Sequence, residues 1–218
     1  MNLPPRLREQ MASDYGPVRA LPSPWLRVGW MVPFAVIAAC AAPLWFSARI
    51  DAPRLGWMGL WGASMLQVLI GLAVVGAALR ESVPGRSWNR AAMAGWFAMP
   101  VLLIIAVTLA SWAASPVRLR GGWWLVAVMC FGGSAATAIP VVTLASVLAA
   151  RAYPVRPAIV GAMLGLGAGL MADAGWRIFC HFSESAHVLS AHLAAVLASS
   201  LVGAVLASAL SAEKRRAR

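Results

Sequence analysis

Six apolar runs, each of about twenty residues or more, fill this chain from Trp25 to Leu210 and decide its class of fold. They fall at Trp25–Ser47, Trp57–Leu79, Ala91–Trp112, Trp123–Ala150, Pro157–Trp176 and Val188–Leu210. A hydrocarbon core about 30 Å thick takes about 20 helical residues to cross. In lipid every backbone N–H and C=O must be paired internally, so runs of this length are predicted to be helices. The expectation is an all-α integral membrane protein. It is a six-transmembrane-helix bundle over residues 25–210, between an N-terminal tail at 1–24 and a basic C-terminal tail at 211–218. A soluble domain of 218 residues could not hide a composition that is 61% hydrophobic and only 11% charged. Pro140 lies inside the long fourth run and predicts a kink there. Trp25, Trp57, Trp112, Trp123, Trp124 and Trp176 stand at run ends, as an interfacial aromatic belt requires.

The net charge of +11 could suggest nucleic acid, but the basic residues sit between apolar runs instead of on one soluble face. No direct nucleic-acid contact is expected. Of the 18 Lys and Arg, thirteen flank one set of run ends: Arg6, Arg8, Arg19, Arg27, Arg80, Arg86, Arg90, Arg151, Arg156, Lys214, Arg215, Arg216 and Arg218. Only Arg49, Arg54, Arg118, Arg120 and Arg177 flank the other. The positive-inside rule then puts both termini in the cytoplasm. The first 24 residues hold five prolines and no apolar core, so no cleavable signal peptide is expected. Within that tail, Pro4-Pro5 can open a short helix whose Leu7, Met11 and Tyr15 share one narrow stripe, with Gly16-Pro17 ending it. Such a stripe suits docking in a partner's groove.

Helices associate in lipid through small residues. The fifth run offers Gly161, Gly165, Gly169 and Asp173 at fourfold spacing, followed by Arg177, and the second offers Gly59, Ala63, Gln67 and Gly71. Both stripes are expected to face the bundle. Asp173 is the only acid inside a run, and its i+4 neighbour Arg177 predicts an ion pair near the outer interface. A small transporter or channel using Asp173 and Gln67 is the alternative reading, although an ion pathway normally shows several such groups across several spans and few others are present. No phosphate loop, metalloprotease motif or nucleophile–base pair is present, so the chain is not expected to be an enzyme and no cofactor is implied.

The reactive side chains gather at the outer end. Cys130 lies about 10 Å below Trp123 by helical rise, and Cys180 lies just past the fifth run. Their pairing requires the apolar segment Ile178–Phe182 to dip back toward the bundle. His181, His187 and His192 share that end, but a five-residue separation of His187 and His192 suits a shared ligand less well than four. A disulfide, a Cys/His metal site and simple burial all remain open from the residues alone.

Several short motifs carry a resemblance. Asp14, Pro17-Val18-Arg19, Leu21-Pro22 and Pro24 precede the first run, Ser82-Val83-Pro84-Gly85 follows the second, and Arg156-Pro157-Ala158 opens the fifth. With Cys180, Ser185-Ala186 and His192 in the last outer loop, the chain resembles the NrsF-type proteins, negative regulators of sigma F, over nearly its whole length. The resemblance implies a membrane anti-sigma factor of the bacterial inner membrane. It would sequester an extracytoplasmic-function sigma factor and release it on a metal or oxidative stress signal. The family's two characteristic cysteines match Cys130 and Cys180, which the resemblance makes the sensors and the first candidates for any metal, with His181 and His192 beside them. The partner-binding candidates are Leu7, Met11, Asp14, Tyr15, Arg19, Arg86 and Arg156.

Overall fold

The computed structural model describes residues 4–14, 20–115 and 123–216, and their regular structure is entirely helical. Among the described residues, six helices are long and apolar enough to cross a membrane: Pro24–Trp45, Ala52–Glu81, Arg90–Ala114, Trp123–Ala150, Pro157–Phe179 and Ser185–Arg216. They are called the first to sixth spans, and the chain is a multi-pass membrane protein. The expected boundaries hold to within a few residues except at the end. There the sixth span continues to Arg216, so most of the basic tail is helical.

Local chemistry explains the punctuation. The Ser23 hydroxyl accepts from the Leu26 N–H at 3.2 Å and Pro24 takes the first turn, which starts the first span. That span breaks at Trp30-Met31, where Pro33 cannot donate to the carbonyl four residues back. Gly56, with φ +66°, interrupts the lead-in to the second span, which becomes regular only beyond it. The Asn89 side chain accepts from Ala92 N–H at 2.8 Å and caps the third. The fourth span runs as one helix through Pro140. The tail helix forms at Pro5–Asp14.

The fifth span is the axis of the bundle. In its most apolar 18-residue stretch 83% of residues are buried, against 17% in the third span. Glycine makes this possible, because neighbouring backbones lie where a Cβ would stand. A Cβ on Gly165 would lie 1.9 Å from the Ser199 carbonyl oxygen, and one on Gly161 2.1 Å from that of Gly203. Gly169 meets Val196 and Ser199 in the same way. The predicted stripe therefore seats the sixth span. The opposite face carries a second set that periodicity did not single out: Gly167 abuts Gly71 of the second span, and Gly175 abuts Ala38 and Ala39 of the first.

The stripe of the second span is shifted. Gly71 and Gln67 face the fifth span, but a Cβ on Gly59 would meet only Leu55 of its own helix. A π-helical turn at Met58–Gly62 rotates the helix face between them, and Ser64 joins the inward set by donating to the Ala174 carbonyl at 3.0 Å. Trp176 also departs from expectation. It is buried, with its ring seated on Gly133 of the fourth span, so it packs the bundle and does not anchor an interface. Trp25, Trp57 and Trp124 are exposed, as belt residues should be.

Candidate functional site

The two ends of the bundle carry different chemistry. At the end where the first span begins and the sixth span finishes, Arg27 is 1% exposed and donates to the Leu79 carbonyl at 2.9 Å and the Leu148 carbonyl at 3.3 Å. These carbonyls belong to the last turns of the second and fourth spans, where a cation complements the helix dipoles. Glu81 accepts from the Trp88 N–H at 2.6 Å and from Arg156, while the Arg80 guanidinium stacks 3.8 Å from the Trp88 ring centre. Gly85, with φ +82°, makes the turn between these groups possible.

The other end carries thiols and imidazoles. The fourth span brings Cys130, the fifth ends on Cys180, and the sixth begins with His187 and His192. All four side chains are buried, and one ligand atom from each lies within 4.8 Å of the others. Cys180 needs no deep dip of its loop to reach Cys130. The fifth helix continues to Phe179, so Cys180 is its C-cap, and its N–H bonds the Trp176 carbonyl at 2.8 Å.

A π-helical turn over Val188–Leu193 explains why a five-residue separation works. With five residues between hydrogen-bonded groups, i and i+5 come onto one face, and the two imidazole centres stand 5.2 Å apart. The two rings are also held differently. His187 Nε2 is 3.1 Å from Cys180 Sγ, and its Nδ1 has no partner. His192 Nδ1 is bonded to Asp173 Oδ1 at 2.6 Å, and its Nε2 is buried without a partner. His181 lies outside this set; its ring packs against Phe182.

The expected Asp173–Arg177 pairing is replaced. Asp173 gives one oxygen to His192 and the other to Gln67 Nε2 at 3.0 Å, while Arg177 donates to the Thr108 hydroxyl. Gln67 and Asp173 are both 0% exposed, so the two groups of the transport reading are sealed against each other inside the bundle.

The loop over this end is fastened by Arg49. Its backbone N–H donates to the Ile178 carbonyl at 2.8 Å, and its guanidinium reaches the His181 carbonyl and the Ser183 hydroxyl at 3.2 and 3.3 Å. Asp51 holds that guanidinium from the other side. Burial alone would raise the Asp51 carboxyl, but the bonds and charge of Arg49 outweigh it and hold the carboxyl below its usual range.

Cys130 and Cys180 are both unpaired thiols. A buried pair of thiols with two imidazoles can coordinate a metal or can be oxidised. Of the partner-binding candidates, Leu7, Met11 and Arg86 are exposed, and Arg156 is exposed while one arm reaches Glu81. Tyr15 and Arg19 lie outside the described residues, as does the side chain of Asp14.

The family described as negative regulator of sigma F, NrsF, matches residues 11–211. That is most of the 218-residue chain, which therefore belongs to this family. No curated protein and no solved structure matches it.

Proposed function

We propose that this NrsF-family chain holds an extracytoplasmic-function sigma factor inactive at the bacterial inner membrane. A thiol-directed stress, metal or oxidant, sensed at Cys130 and Cys180 then releases it. The observation that carries the reading is the position of the buried Cys–His cluster, at the opposite end of a six-span bundle from the start of the first span and the finish of the sixth. Thirteen of the 18 basic residues flank the terminal end, which supports a cytoplasmic position for the termini and an outward position for the thiols.

The sigma factor would meet the tail helix through Leu7 and Met11, with Asp14, Tyr15 and Arg19 continuing that strip, and would touch Arg86 and Arg156 on the adjoining loops. A standard interface buries about 800 Å² per partner, which needs the tail and the loops together. The fourth and fifth spans both carry a sensing cysteine and both run into the loop holding Arg156, so a change at one end reaches the other through rigid helices.

The test is a sigma-dependent reporter in cells, with co-purification of the partner from membranes. Replacing Cys130 and Cys180 by serine should preserve repression and abolish induction, which allosteric coupling bounds at roughly 5–150-fold. Deleting residues 2–16 should leave the sigma factor active without stress. Normal induction in the double serine variant would remove the sensing role. A periplasm-only reporter fused after Arg218 should be silent, and activity there would overturn the orientation.

A further inference from the structure

We propose that Cys130, Cys180, His187 and His192 close around a single divalent cation of the zinc and cadmium class, with Asp173 and Gln67 as the outer shell that holds His192 in place. This rests on the sensing reading above and gives the signal a chemical identity and a complete ligand set.

The argument begins with the unused nitrogen. His192 is completely buried, its Nδ1 is committed to Asp173, and its Nε2 has no hydrogen-bond partner. An unpaired buried polar atom is costly, so one in such a place calls for a ligand. A histidine that donates one N–H to a carboxylate while offering the other nitrogen is the usual arrangement in metal sites. Gln67 then fixes the second oxygen of Asp173.

Geometry agrees. Metal–sulfur and metal–nitrogen bonds of about 2.3 and 2.0 Å place tetrahedral ligand atoms about 3.3–3.8 Å apart. The four ligand atoms here lie within 4.8 Å of one another, so closure asks for a contraction of no more than about 1.5 Å at the widest pair. Thiolate and imidazole donors select soft or borderline ions, and the four-ligand set supplies no carboxylate oxygen for magnesium or calcium. Charge selects further. A divalent cation with two thiolates and two neutral imidazoles is electrically neutral, which suits a fully buried site. On binding, two metal–sulfur and two metal–nitrogen bonds form, and each thiol gives its proton to solvent; no electron is transferred. A disulfide would consume the sulfurs but leave both imidazoles and the Asp173–Gln67 support without a role.

Contraction would draw the fourth, fifth and sixth spans together. Through Asp173 and Gln67 it also reaches the second span, whose other end holds Glu81 against Arg156. From Gln67 to Glu81 is about 21 Å of straight helix.

The test uses cobalt(II) as a spectroscopic stand-in, titrated into reduced full-length protein in detergent. The expected result is one equivalent bound, with the intense visible bands of tetrahedral cobalt and thiolate charge transfer in the near ultraviolet, both displaced by zinc. His187→Gln and His192→Gln should each change that spectrum. Asp173→Asn should keep its shape while weakening affinity by about 10–100-fold, the signature of an orienting group. Wild-type protein supplies a measurement that no folding defect can cloud. Zinc should protect both outer cysteines from alkylation, and a chelator should restore it. An octahedral cobalt spectrum, absence of protection by zinc, or a spectrum indifferent to both histidine changes would overturn the proposal. If cells carrying His187→Gln and His192→Gln induce normally while the double serine variant does not, this ligand set fails and the cysteine-sensing reading stands.

Discussion

The third and fifth spans invert the rule familiar from soluble proteins. The third carries the bulkier apolar side chains, with Phe97, Leu102, Leu103, Ile104 and Ile105 in close succession, yet it lies at the edge of the bundle. The fifth carries Gly161, Gly165, Gly167, Gly169 and Gly175 and lies at the centre, touching the first, second, fourth and sixth spans. In lipid, apolar bulk gains nothing from leaving the solvent, because the solvent is itself apolar. What decides position is how closely backbones can approach. The glycine-rich helix becomes the one every neighbour packs against, and the reactive groups assemble where it ends.

The sharpest way to break this comparison is to add bulk at the centre. Gly165→Leu places a side chain where the Ser199 carbonyl already stands 1.9 Å from the ideal Cβ position. Neither backbone can yield without separating the fifth and sixth spans. The expected cost exceeds about 4 kcal/mol, the range reached only by severe overpacking or similar insults. The variant should fail to accumulate as a monodisperse species in detergent. A normal elution profile and melting transition would show that the fifth span is not the axis.

A single methyl gives the next largest effect. A Cβ on Gly167 would sit 2.6 Å from the Gly71 carbonyl oxygen, a backbone atom that cannot rotate aside. Gly167→Ala should destabilise by about 1–3 kcal/mol in a denaturant titration, consistent with overpacking of a tight core. Because the second span carries Gln67, the same variant should also weaken cobalt binding if the outer shell matters. Ala162→Leu should cost less than about 1 kcal/mol, since Ala162 is only half-buried and off the glycine stripe.

These expectations also mark what a sequence can and cannot reveal here. The spans were legible because a bilayer imposes length, and the Gly161–Gly165–Gly169 face because close packing in lipid requires small residues. The meeting of Cys130 with Cys180 was anticipated as one of several outcomes. The histidines were seen to share that end, with His192 named a candidate, but the five-residue spacing of His187 and His192 suited a shared ligand less well than four. His187 and His192 share a face only because of the π-helical turn between them, and neither proline nor glycine occurs in Val188–Leu193 to announce it. Periodicity at 3.6 residues favours i+4 partners, which is also why Asp173 was assigned to Arg177 and not to His192, nineteen residues away. The earlier π-helical turn at Met58–Gly62 displaced Gly59 from its stripe in the same way. The one available signal was chemical: Asp173 is the only acid inside a predicted run, and an acid sealed in a membrane bundle needs a partner close by.

The smallest effect is the most discriminating, because it asks the same substitution to behave differently in the two spans. Gly95 lies on the exposed face of the third span, and a Cβ there would meet nothing within 4 Å. In water, replacing a mid-helix glycine by alanine gains about 0.5–1 kcal/mol, because the unfolded chain loses more freedom with glycine. Here the reference state differs: a dissociated span in lipid is still a helix, since its backbone has no other way to satisfy its hydrogen bonds. Most of that gain therefore cancels, and Gly95→Ala should shift stability by less than about 0.5 kcal/mol. Gly167→Ala, the identical chemical change, should cost several times more. Equal losses at both positions would mean that the third span is covered in the native membrane by something the single chain does not supply, such as a second copy. A gain at Gly95 of the full aqueous size would mean instead that the spans unwind when they dissociate, and the reasoning from backbone satisfaction would need revision.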